Sequence, residues 1–175
     1  MILPARTGNA AAFEQIVRTH ERQVLRVAVR LTGNLHDGQD VAQEVFLKLH
    51  REFGRFQDSS LIGSWLYRVT VNACFDLRRK AKRAPVENAG FGWETWRSGE
   101  RSREQELAHQ QELALAMEEL SERERAAITL RELEGLSTAQ VAEILGTAES
   151  TVRVQIAAAR VKLRKCLERL RGKKR

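Results

Sequence analysis

Apolar residues recur along the first third of the chain at the spacing of a helix. From Phe13 they fall at Ile16, Val17, Val24, Val27, Ala28 and Leu31, with charged residues between them, so they share one face of a 3.6-residue repeat. The series closes before Gly33-Asn34, a pair suited to the left-handed turn at a helix end. A second helix is predicted from Val41, Ala42, Val45, Leu49 and Phe53, ending around Gly54. Asp37 and Asp40 lie near its start, where carboxylates suit the positive end of the helix dipole. After the polar turn Gln57-Asp58-Ser59-Ser60, a third series runs Ile62, Trp65, Leu66, Val69 and Ala73, ahead of Arg78, Arg79, Lys80, Lys82 and Arg83. Three such helices can bury one shared core.

Between Ala84 and about Ser102 the periodicity disappears, and Pro85, Gly90, Gly92 and Gly99 accumulate among charges. The segment 84–104 reads as a flexible linker. Trp93 and Trp96 within it fit either docking on a partner or packing against a neighbouring domain. A second helical module is predicted over 105–172. Ser121-Glu-Arg-Glu and Ser137-Thr-Ala-Gln both have the capping-box pattern, in which a side chain at each end satisfies a free amide of the first turn. A helix is predicted from Glu122 to Glu134, a short one carries Val141, Ala142 and Leu145, and Gly146 marks a tight stop. The last helix sets Val152, Ile156, Ala159, Leu163, Leu167 and Leu170 on one side. The fold class is therefore all-α: two small helical domains, 10–83 and 105–172, joined by a linker.

Charge adds a direction. The chain has formal charge +7 and an isoelectric point near 10.0, which suits a polyanionic partner. The charge is also segregated. From Gln105 to Ala148 there are three basic and nine acidic residues, and from Glu149 to Arg175 ten basic and two acidic. The final helix is thus a basic arm beside an acidic neighbour. Met1 to Ala12 has no apolar core of the secretory kind and no stretch reaches membrane-spanning length, so a cytoplasmic protein without stable membrane insertion is expected. Cys74 and Cys166 lack metal or redox spacing, the four histidines are scattered, and no phosphate-cradling Gly-Lys-Ser/Thr loop occurs; no cofactor, metal or enzymatic activity is expected.

The segment from Ser137 to Ala157 reads as helix, glycine turn, helix, the geometry that lets a second helix enter the DNA major groove while the first braces it. Ser150, Thr151, Arg153 and Gln155 lie at exposed positions early in that helix. Arg can pair with guanine and Gln with adenine, and Arg160, Lys162, Arg164 and Lys165 can meet phosphates. An αα-hairpin with a solvated basic face accounts for the same charges. A stand-alone helix-turn-helix regulator and a basic RNA-binding or scaffold protein also fit the pattern.

Longer stretches carry a resemblance. Leu120-Ser-Glu-Arg-Glu-Arg, the run from Leu130 to Gly146, Ser150-Thr-Val-Arg and Ala159-Arg-Val-Lys-Leu-Arg resemble the C-terminal domain of extracytoplasmic-function (ECF) sigma factors. Asp37-Gly-Gln-Asp-Val-Ala-Gln-Glu-Val-Phe-Leu-Lys-Leu resembles the polymerase-binding helix of that family, and Gly63-Ser-Trp-Leu-Tyr-Arg-Val-Thr-Val-Asn-Ala its promoter-opening segment. The resemblance runs from Phe13 to Leu170. It implies core RNA polymerase and promoter DNA as partners, with an anti-sigma protein as a third. It places Asp37, Asp40, Gln43, Glu44, Phe46 and Leu47 on the polymerase-docking face. It assigns the loop from Phe56, through Asp58, Ser59 and Ser60, to capture of an unstacked minus-ten base, assisted by Tyr67 and Arg68. Asn72, Asp76, Arg78 and Arg79 match the adjoining promoter-contact helix, whereas Trp65 reads as core. Ser150, Thr151, Arg153, Gln155 and Arg160 are the implied minus-thirty-five contacts. The chain departs from the family pattern at Glu149, Val154, Gln155, Ala157 and Ala158, where members often carry small, polar or basic residues.

Overall fold

The computed structural model describes residues 10–56, 58, 60–83 and 103–172. The predicted linker, with Trp93 and Trp96, lies outside these residues except for its last two, and so does Ser59. Among the described residues the chain is helical and without strands, and it divides into two compact units.

The first unit contains α1 (Ala10–Thr32), α2 (Leu35–Glu52), a short 3₁₀ turn (Phe53–Arg55) and α3 (Ser60–Arg83). The predicted stripes become its core: Val24, Val27, Ala28 and Leu31 of α1, Val41, Val45 and Leu49 of α2, and Ile62, Leu66 and Cys74 of α3 are all buried. Phe13 meets the rings of His50 and Phe53 edge-on, at centroid distances of 5.1 and 5.5 Å, which closes the far end of α1 over the end of α2. Two threonines enter the apolar interior by returning their hydroxyls to their own helices: Thr32 donates to the Ala28 carbonyl at 2.9 Å and Thr70 to the Leu66 carbonyl at 2.7 Å. Gly38 sets how closely α2 approaches α1. A Cβ added there would stand 2.5 Å from Val29 Cγ2 and 3.0 Å from the Val29 backbone nitrogen.

The second unit contains α4 (Arg103–Glu118), α5 (Glu122–Ile128), a wide π-type turn (Thr129–Leu133), α6 (Thr138–Leu145) and α7 (Glu149–Gly172). Helix α4 begins ahead of the predicted Gln105. Helix α7 is the spine against which α4, α5 and α6 pack. Met117, Leu120 and Ile128 surround Ala159 and Leu163, while Val141, Ala142, Ile144 and Leu145 of α6 are buried with Val152 and Ile156.

The predicted helix 122–134 is not one regular element. It widens after Ile128, where the Glu134 amide donates to the Thr129 carbonyl at 3.0 Å and the Leu136 amide to Leu130 at 3.1 Å. The extra residue in this turn changes the helical phase. Thr129 and Leu130 are both fully buried, whereas Glu132 and Leu133 face solvent.

Candidate nucleic-acid interface

Both capping boxes form. Ser121 and Ser137 each accept a hydrogen bond from the amide of the residue three positions on, and the side-chain oxygens of Glu124 and Gln140 each accept one from the serine amide at 2.8 Å. Helix α6 ends at Gly146, whose φ of 60° is left-handed, and the Thr147 amide closes on the Ala142 carbonyl at 3.0 Å. This turn lets α7 start within three residues of α6. The pair is a helix-turn-helix.

Helix α7 turns Val152, Ile156, Ala159 and Cys166 inward and presents Ser150, Thr151, Arg153 and Arg160 to solvent. Gln155 sits differently. It is half-buried, and its side-chain oxygen is enclosed without a hydrogen-bond partner.

Four cations of α7 are paired, one within the helix and three with the acidic neighbour seen in the sequence. Arg153 pairs with Glu149 at 2.8 Å, Arg160 with Glu132 at 2.7 Å, Lys162 with Glu124 at 2.7 Å, and Arg169 with Glu119. Three of these pairs brace α7 against other elements, a role not evident from sequence because their partners are 28 to 50 positions apart. Exposed ion pairs are worth about 0–1 kcal/mol, so Arg153 and Arg160 can exchange carboxylate for phosphate or base at little cost. Arg164 and Lys165 are exposed and have no ion pair among the described residues.

In the first unit, α2 carries Asp40, Gln43, Glu44 and Leu47 on one exposed face, Leu47 being 57% accessible. Asp37 and Phe46 flank it, each half-buried. His36, which pattern reading passed over, lies with Nδ1 3.5 Å from Asp40 and 3.9 Å from Asp37. Its i,i+4 spacing from Asp40 was the available signal.

The start of α3 is internally satisfied. Asp58 accepts the Ser60 hydroxyl at 2.6 Å and the Ser60 amide at 2.9 Å, and these bonds hold its carboxyl below the usual range. Phe56 is half-buried, edge-on to Trp65 at 5.3 Å. Along α3, Arg68, Asn72, Asp76 and Arg79 form one exposed row, with Tyr67 half-buried beside it and Arg79 paired to Asp76. Arg78 turns back to donate to the Leu31 carbonyl at 3.2 Å, capping the C-terminal end of α1. Among the described residues no cluster of three metal-ligating side chains occurs, and no helix is long and apolar enough to cross a membrane.

One unit carries a basic helix-turn-helix, the architecture of DNA-binding proteins, and the other an acidic, partly apolar exposed helix face. Residues 16–84 match the Sigma-70 region 2 family and residues 110–163 match Sigma-70, region 4. The chain is 35% identical to the ECF RNA polymerase sigma factor SigM of Mycobacterium tuberculosis, over 91% of this chain and 79% of the relative. It is 34% identical to the ECF RNA polymerase sigma-E factor of Escherichia coli K12, over 87% and 85%. The fold is similar to that of the sigma factor RpoE in complex with the anti-sigma factor NepR from Bartonella quintana, with a TM-score of 0.73, 21% identity, and coverage of 90% of this chain and 97% of that one. It is also similar to CnrH in complex with the cytosolic domain of CnrY, with a TM-score of 0.65, 27% identity, and coverage of 94% and 92%. The chain belongs to the ECF RNA polymerase sigma factors.

Proposed function

We propose that this chain, a group IV sigma factor acting in the cytoplasm, binds core RNA polymerase, directs it to specific promoters and promotes opening of the DNA there. Residues 10–83 serve polymerase docking and minus-ten recognition, 84–104 link the two modules, and 105–172 hold the upstream element. The carrying observation is the presence in one chain of the α6–α7 helix-turn-helix and the exposed α2 face of Asp40, Gln43, Glu44 and Leu47.

On this reading the α2 face meets a basic helical surface of polymerase, with Leu47 as apolar anchor and Asp37 and Phe46 at its edge. Asp58, Ser59 and Ser60 capture an unpaired base, with the apolar Phe56–Trp65 ring pair contributed by the flanking residues. Arg68, Asn72 and Arg79, beside Tyr67 and Asp76, follow the strand along α3, while Arg78 acts from its place at the end of α1. Opening needs no covalent step. Holding an unpaired base shifts the duplex equilibrium at a cost of about a few kcal/mol for unstacking, and the polymerase supplies catalysis.

Ser150, Thr151, Arg153 and Arg160 contact the upstream duplex, and Gln155 joins them only by leaving its enclosed position. An anti-sigma partner is part of the proposal. RpoE is seen with NepR and CnrH with CnrY, and the exposed α2 face offers such a partner a surface to compete for.

The test is run-off transcription with purified core polymerase and genomic promoter fragments. Defined transcripts that require the chain are expected. Tight duplex binding by the chain alone, with no transcript above the core-only background, would overturn the proposal.

A further inference from the structure

The outward face of α7 is partly apolar where a DNA-reading helix usually carries hydrogen-bonding groups. Val154 is 68% accessible and stands opposite the buried Val152, Ile156 and Ala159. Ser150, Val154 and Ala157 follow one another at i, i+4 and i+7 and form a single exposed row in the first turns of the helix. Those turns are the ones that reach base edges when a helix-turn-helix docks. The polar residue best suited to adenine, Gln155, has its oxygen enclosed instead. Arg153 flanks the row, and Arg160, Arg164 and Lys165 follow it toward the C-terminal end of the helix, all exposed. An apolar patch bordered by cations along one helix fits a polyanion that carries apolar groups in its groove better than it fits an apolar protein surface. In the major groove only thymine offers such a group, its C5-methyl.

We infer that Val154, with the small Ala157 allowing close approach, reads thymine methyl groups in the upstream promoter element. The inference rests on α7 being the recognition helix. Valine suits this task because in a helix its side chain is held in essentially one rotamer, so the methyl-binding surface is set before DNA arrives. Specificity then comes from apolar contact at one or two thymines, and the surrounding arginines supply orientation and affinity through phosphates.

The full chain assembled with core polymerase would be used to select duplexes from a library randomised over the upstream element. The selected duplexes would be remade with deoxyuridine replacing each thymidine in turn, which removes only the methyl group. At one or two positions this should weaken holoenzyme binding about fourfold, the size expected for one buried methyl. Val154→Ala should abolish the difference at one of them. Val161→Ala, an exposed residue farther along the same face, should leave it intact. Recovery of an upstream element that tolerates deoxyuridine at every position, or a Val154→Ala chain that still discriminates fully, would overturn the inference while leaving the sigma-factor reading in place. Failure to select any upstream element would overturn both.

Discussion

Gly38 shows how one residue type can be required for a reason invisible in its own helix. Inside α2 a glycine is about 1 kcal/mol less favourable than alanine, yet here its missing Cβ is the space that the Val29 side chain and backbone occupy. Overpacking of this sort costs about 1–3 kcal/mol. Gly38→Ala should therefore destabilise the first unit by about 1 kcal/mol net, seen as faster amide exchange in α1 and α2 of the intact chain. A slower exchange would mean that helix propensity governs this position. The apolar stripe of α2 was readable from spacing because it needs only local geometry, whereas Gln43, Glu44 and Leu47 were singled out through the family resemblance. Arg78, Gln155 and Gly38 were not, because what each does depends on an atom of another segment or on how neighbouring helices enclose it. Cys74 likewise gives no local sign that burial pushes its thiol up to about 12.

Among the elements, α7 depends most on its neighbours, and Glu124 joins two of its constraints. Its carboxylate caps the start of α5 through the Ser121 amide and accepts Lys162 of α7 at 2.7 and 2.9 Å. Burial pushes this carboxyl up, but the bonds from Lys162 and Ser121 outweigh it, so it titrates below its ordinary 4.5. The unfolded chain therefore binds the proton more readily. The stabilisation from this group is complete above pH 4.5 and is lost as pH falls through the lower folded value. Glu124→Gln keeps the capping bond, as Gln140 does at Ser137, and loses the Lys162 ion pair, so it should cost the second unit about 0.5 kcal/mol at neutral pH, and the thermal unfolding temperature below pH 4.5 should then fall less steeply than in the parent chain. An unchanged acid slope would show that other carboxylates set it. The capping boxes at Ser121 and Ser137 were legible because both partners lie within one turn. The break at Thr129 was not: it coincides with full burial of both Thr129 and Leu130, which depends on the elements packed around them and not on residues within one turn.

At the scale of the whole molecule, the separation of the two surfaces is itself testable. Asp40→Ala combined with Leu47→Ala should reduce capture by core polymerase at least tenfold while leaving binding of the upstream duplex within about twofold, since each change is at an exposed position. Arg153→Ala should do the reverse. Polymerase pull-down and duplex titration on the same two preparations would check both, and parallel loss of both activities would show that the surfaces are not independent. The sequence alone determined the all-α class, the order of the helices and the two capped starts of the second module, because these follow from periodicity and from contacts within a turn; the family was legible only through the likeness of whole motifs to those of ECF sigma factors. Tertiary structure alone decided that Arg160, Lys162 and Arg169 of α7 are already held by carboxylates, that Gln155 is half-enclosed, and that Arg78 closes α1. Those outcomes depend on distances between segments far apart in the chain, and only packing of the helices sets such distances.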